Sequence, residues 1–274
     1  MERQLFYRYQ YDGSFSGFLC CVFESYSKKE IPCAFSSGED MQMALYPQRI
    51  IETNREHALR VYRALRGKIS PEAQNLVACG FLSCSPERDK VLYRFIRRGF
   101  ETGGSIMRQF SHPDVEPLMN IARAAGNEAQ LLRGFIRFSE VGGAFAAEIE
   151  PKNRVLPLLR KHFCARYADE IFMVYDCTHR EALLYRPGHW AIIPLEEFQM
   201  ADPDEKEKKY RRLWKRFYDT IAIEERYNPA CRRSHMPKRY WNKMMEFIPN
   251  IQSAGADAPP LGVPSGKPVP VRRP

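Results

Sequence analysis

The chain has 274 residues, 44% of them hydrophobic and 27% charged, enough apolar material for one large core or two small ones. No apolar run approaches the roughly 20 residues that span a bilayer, and "MERQLFYRYQYDG" lacks a signal-peptide core, so a cytoplasmic location without a membrane partner is expected. The net charge of +9 is unevenly placed: residues 1–204 balance 26 basic against 26 acidic side chains, whereas residues 205–243 hold 13 against 5.

In chain order, "LFYRYQ" alternates and is rich in aromatics, which predicts a strand, and Asp12-Gly13 predicts the turn after it. In "SFSGFLCCVFESYSKK" the residues Phe15, Phe18, Leu19, Val22, Phe23 and Tyr26 repeat at helical spacing and predict one wide buried face. Further helices are predicted at about 54–67, 71–83, 88–101 and 115–138. After Gly142-Gly143 the period changes. "AFAAEIEP" alternates as a strand, "NRVLPLLRKHFCARY" reads as a helix with Pro157 in its first turn, and "EIFMVYD" and "EALLYR" predict a hairpin across "CTHR". "HWAIIP" offers a third strand. A long helix is predicted over 207–227, with Tyr210, Leu213, Trp214, Phe217 and Ile221 inward, stopped by Pro229.

The expected class is therefore α+β: a mostly helical body, a small mixed or antiparallel sheet with strands near 143–150, 170–176 and 181–186, and a C-terminal basic helical region. One domain is expected over residues 1–250, helix-rich over 1–140, with a sheet unit over 141–200 and the basic segment over 205–247. Residues 251–274 are proline-rich and without an aromatic, and are expected to be disordered.

The eight cysteines lie in apolar runs, with no CxxC pair and no Cys/His cluster at ligand spacing; reduced core residues and no metal are expected. No nucleophile elbow, phosphate-cradling glycine loop, zinc signature or dinucleotide fingerprint is present. The acid–base candidates are Asp176, Glu148 and His179, with Glu150 and His162 behind them. Each also has a plain structural reading, Asp176 as the cap of the "DCTHR" turn and the glutamates as decoration of an exposed strand face. The basic segment offers a different chemistry. Arg232, Arg233, His235, Lys238, Arg239, Tyr240 and Trp241 combine cations for phosphates with rings for unpaired bases, and Arg212, Lys215 and Arg216 extend the charge along the preceding helix. Pro237 marks a helix start whose N–H groups could meet a phosphate, while Tyr240 and Trp241 could equally anchor the segment to the core.

"YDGSFSGFLCCVFESY", "RGFIRFSEV", "AEIEP", "HFCARY", "MVYDCTHREALLY" and "LWKRFYDTIAIEERYNPACRRSHMPKRYW" together resemble a bacterial domain-of-unknown-function family described as DNA metabolism or DNA repair proteins. The likeness runs over roughly residues 3–247. It implies a neighbouring radical S-adenosylmethionine protein that resembles DNA-modifying or photoproduct-repair enzymes, and in some members fusion to a uracil-DNA glycosylase-like domain. The tail here is not such a domain, so that enzyme is expected in trans. The resemblance supplies no catalytic residues. No Cys-x3-Cys-x2-Cys cluster motif occurs, and the iron–sulfur cluster and S-adenosylmethionine are expected in the partner and not in this chain. The leading expectation is a DNA-binding accessory or repair factor. The alternatives are a stand-alone nuclease or base-processing hydrolase, and an interaction module for an acidic protein partner.

Overall fold

The computed structural model describes residues 7–37, 46–200, 205–220 and 228–247, and the backbone divides into two compact units, Met1–Asp202 and Pro203–Pro274. Within the first unit β1 (Tyr7–Tyr11) is the centre of a parallel three-stranded sheet, flanked by β2 (Pro32–Ser37) and β3 (Gln48–Ile50). A parallel pairing needs a long crossover, and α1 (Phe15–Ser27) supplies it between β1 and β2. Its start is fixed by Ser14, whose Oγ accepts from the Gly17 amide at 2.9 Å. Asp12 ties the same turn across the sheet end, accepting from the Ser14 amide at 2.9 Å and from the Thr53 hydroxyl at 2.7 Å. Any side chain at Gly17 would strike that carboxylate.

The predicted stripe of α1 is buried at Phe18, Leu19 and Val22, while Tyr26 at its end is exposed. Against it pack α2 (Arg55–Ala64), extended by one π turn to Ile69, and α3 (Pro71–Phe81), α4 (Arg88–Thr102) and α5 (Glu116–Phe135). Asn54 and Ser70 cap α2 and α3, and Pro71 occupies the first turn of α3. Neither β2 nor β3 is legible in the sequence: β2 opens on Pro32 and ends on two serines without alternating, and the three residues of β3 are too few to show a period.

A second sheet in the same unit runs β4 (Ser139–Val141), β5 (Ala144–Ile149), β6 (Phe172–Asp176), β7 (Glu181–Arg186) and β8 (His189–Pro194) in spatial order. It is mixed: β5 and β6 pair in parallel through α6 (Leu156–Arg166), and the other pairs are antiparallel. One face, carrying Ala147, Val174 and Leu183, is fully buried, and Phe138, Phe163, Tyr167 and Phe172 interlock as edge-on rings with centroids 5.1–6.1 Å apart. The other face bears Ala146, Met173 and Leu184 and forms an apolar trough of about 580 Å³ with Arg186 and His189 at its edge.

A buried carboxylate links the helical layer to this sheet. Glu128 of α5, 3% exposed, accepts from the amides of Lys152 and Asn153 at 3.0 and 2.8 Å and from Asn153 Nδ2 at 2.6 Å. Asn153 Oδ1 in turn accepts from the Cys84 amide at 3.0 Å, and the Arg154 amide donates to the Leu82 carbonyl at 2.9 Å. The class is α+β, as the sequence indicates.

Among its described residues the second unit has α7 (Glu205–Thr220), α8 (Pro229–His235) and two short 3-10 turns, Lys238–Lys243 and Met245–Phe247. Residues 221–227, including Ile221, and the proline-rich tail 251–274 lie outside the described residues. Pro229 is the first residue of α8, whose start is capped by the Asn228 side chain, and so opens a helix; the expected stop of the preceding helix lies outside the described residues. Two cysteines depart from the expected core placement: Cys84 and Cys231 are exposed, whereas Cys20 and Cys21 are buried. Among the described residues no helix is long and apolar enough to cross a membrane.

Candidate nucleic-acid interface

Seven of the residues expected to meet nucleic acid come from α8 and the 3-10 turn after it, and three from α7. Along α7 the basic side chains Arg212 and Arg216 are exposed on one face; Lys215, half-buried, turns inward and donates to the Glu246 carbonyl at 3.2 Å. Arg211 is engaged with Glu207 at 2.9 Å. The apolar stripe of α7 is not inward as expected: Tyr210, Leu213 and Phe217 are each more than half exposed, and Trp214 is 40% exposed while its Nε1 donates to Glu246 at 3.2 Å. The helix turns Trp214 and Lys215 toward the rest of its unit, where both donate to the buried Glu246, while Glu207 takes its donor from Arg211 within the helix.

In α8 the cations Arg232, Arg233 and His235 fall in the last turn, where they offset the carbonyl end of the helix. Arg233 and His235 are exposed; His235 Nδ1 donates to the Cys231 carbonyl at 3.0 Å. Arg232 lies over Trp241 and Phe247, 5.1 and 5.6 Å from their centroids. The Trp241 ring is stacked on Phe247 at 4.5 Å and its Nε1 donates to the Met236 carbonyl at 3.0 Å. Tyr240 is 4% exposed, with Arg239 over its ring at 4.5 Å. The two aromatics are therefore internal anchors of the unit, and Tyr240 has no face open to a base. Lys238 and Arg239 remain exposed beside them. The Pro237 site is a six-residue 3-10 turn, too short to carry the macrodipole expected of a helix start. What the segment presents outward is charge, on Arg212, Arg216, Arg233, Lys238 and Arg239, with the exposed His235 ring among them.

The acid–base candidates separate. Asp176, fully buried at the end of β6, accepts from the amides of Thr178 and His179 at 3.0 and 3.1 Å, which caps the hairpin turn, and its other oxygen meets His179 Nδ1 at 2.7 Å. Glu148 pairs with Tyr175, and Ile149 with Asp176, so Glu148 points to the opposite face of the sheet and does not join the pair. Glu150 is exposed. His162 lies on α6 with its pKa lowered by burial and by Arg133 and Arg166. Arg154, which the sequence did not single out, forms an ion pair with Glu181, the cross-strand neighbour of Asp176. It lies 27 residues away in the chain, so no local pattern could have shown it. Among the described residues no group of three or more His, Cys, Asp or Glu could hold a metal.

A search of curated proteins finds no match. Among solved structures the chain is similar to one titled as a pGpG-specific phosphodiesterase, PggH, from Vibrio cholrae, at 10% identity and a TM-score of 0.33, over 65% of this chain and 81% of that one. A likeness so distant has no bearing on function. Residues 86–246, more than half of the chain, match the model of the domain of unknown function DUF4130, and the protein belongs to that family.

Proposed function

We propose that this protein is a DNA metabolism or repair factor whose C-terminal unit grips the DNA backbone, acting with a radical S-adenosylmethionine enzyme that brings the iron–sulfur cluster and the S-adenosylmethionine. The observation that carries the reading is the outward basic set of Arg212, Arg216, Arg233, Lys238 and Arg239 in a segment with eight more basic than acidic residues. Each cation that neutralises a phosphate releases counterions and adds about 0.9 to the slope of log affinity against log salt. The open apolar sheet face of the first unit suits a protein partner better than a polyanion. The test is a fluorescent oligonucleotide titrated across a salt series with the wild type and with Arg212→Ala/Arg216→Ala/Arg233→Ala/Lys238→Ala. Arg232 and Arg239 are left intact because they lie closest to aromatic rings, 5.1 and 4.5 Å from the centroids, against 5.9 Å for Lys238. A slope reduced by about 3 supports the grip, and an unchanged slope refutes it.

A second reading, an enzyme in its own right, is favoured by one observation: Asp176 is buried and holds His179 Nδ1, which orients the imidazole as a general base is oriented. Wild-type turnover of damaged or single-stranded DNA that disappears in a folded Asp176→Asn variant would support it. Identical products from both proteins would remove it.

A further inference from the structure

The first unit holds a cleft of about 490 Å³ between α1, α2 and α4 that the roles above leave unused. Phe23 and Tyr26 of α1 and Phe100 of α4 line it, with Arg60 and Lys68 on the facing wall. Tyr26 is 42% exposed and lies 5.8 Å from Phe100, which supports it from below. Phe23 has its other face covered by His57, stacked at 3.9 Å, and is thereby held in place. Each of the three rings has a cation close by: Arg60 at 5.7 Å from Phe23, Arg97 at 5.1 Å from Tyr26 and Lys68 at 5.4 Å from Phe100. The one carboxylate on the lining, Glu101, is 3.8 Å from Arg98. A neutral unit has thus gathered aromatic surface and positive charge in one concave place.

We propose that this cleft receives an unpaired nucleobase of a single strand, stacked on Tyr26, with the adjoining phosphate between Arg60 and Lys68. The rings supply a flat surface that any base can use, and the cations supply the phosphate contact. An acidic peptide would use the cations and leave the exposed part of the Tyr26 ring, which Arg97 and Phe100 do not cover, in water. No residue of the cleft belongs to the C-terminal unit, so this inference and the proposed backbone grip can fail separately.

The probe is a short oligothymidylate carrying one 5-iodouracil, irradiated with the full-length protein and mapped by mass spectrometry. A cross-link to Tyr26 is expected, together with an affinity loss for the single strand of about tenfold in Tyr26→Ala and in Arg60→Ala/Lys68→Ala, with duplex affinity unchanged. Both sites lie on exposed side chains, and a thermal melt matching the wild type verifies that the variants fold. Cross-links confined to residues 205–247 with wild-type affinity in both variants would overturn the cleft and leave the backbone grip standing. A Tyr26 cross-link that persists in the variant lacking Arg212, Arg216, Arg233 and Lys238 would uphold the cleft on its own. Displacement of the oligothymidylate from Tyr26 at a lower concentration of polyglutamate than of unlabelled oligothymidylate would assign the cleft to an acidic protein and overturn the proposal.

Discussion

The substitution Glu128→Ala probes the joint between the helical layer and the mixed sheet. Glu128 is 3% exposed and its carboxylate receives three N–H donors from Lys152 and Asn153, at 2.6–3.0 Å. Alanine removes every acceptor at once. A buried donor left without a partner costs about 1–3 kcal/mol, and bonds to a charged acceptor stand at the upper end of that range. Water entering the vacated space can recover part of the loss for the Lys152 amide, which belongs to an exposed residue, but less for the 6% exposed Asn153. A loss of about 3–5 kcal/mol is expected, and the melting temperature of the first unit should fall by roughly 6–15 °C. Glu128→Gln keeps one acceptor oxygen and turns an amide against a donor, so it should cost about half as much. Urea unfolding followed by near-ultraviolet circular dichroism measures both. Hydrogen exchange should show earlier opening of residues 150–155 and of the Cys84 amide, which depends on Asn153. A loss below about 1 kcal/mol for the alanine variant would refute the reasoning, because it would mean that the donors are satisfied without the carboxylate.

At alkaline pH the Tyr11 phenol, which donates to Asp89 at 2.7 Å, is held above its ordinary value chiefly by burial and then by the Asp89 charge. A raised folded pKa means that the folded state keeps its proton longer than the unfolded one. The contribution is complete below about pH 10 and is lost as pH rises through the folded value. Tyr11→Phe should flatten the fall of stability above pH 10, measured by urea midpoints, and an unchanged pH dependence would contradict the assignment. Thiol labelling with a maleimide should modify Cys84 and Cys231 first and leave Cys20 and Cys21 unmodified until denaturant is added; rapid labelling of Cys21 would contradict the packing. Asp176→Ala strips two amides and an imidazole of their acceptor and should destabilise the β6–β7 hairpin by about 2–4 kcal/mol. Asp176→Asn retains an acceptor for the amides and should cost less than half of that in the same urea assay.

Where one element repeats its own period over enough residues, its place is readable from the chain alone. The stripe of α1, the helices α2 and α3 expected at about 54–67 and 71–83, and the buried run of β6 all follow from spacing. The basic surplus after residue 204 is likewise a property of composition. Two features are not readable in this way. The short strands β2 and β3 owe their conformation to pairing with β1: β2 does not alternate, and the three residues of β3 carry no periodic signal. The role of Tyr240 and Trp241 stays open in the sequence, since a ring that anchors and a ring that stacks on a base have the same residue types around them; the Phe247 ring and the Met236 carbonyl decide it.

The sequence by itself determined the α+β class, the charge asymmetry and the residue types available to meet a polyanion, because these depend on local period and on counts. Tertiary structure alone decided that Glu148 faces away from Asp176, that the stripe of α7 lies open, and that Tyr26, Arg60 and Lys68 share a cleft. Those facts depend on register, on helix rotation and on contacts between distant segments, none of which is written in the neighbourhood of any one residue.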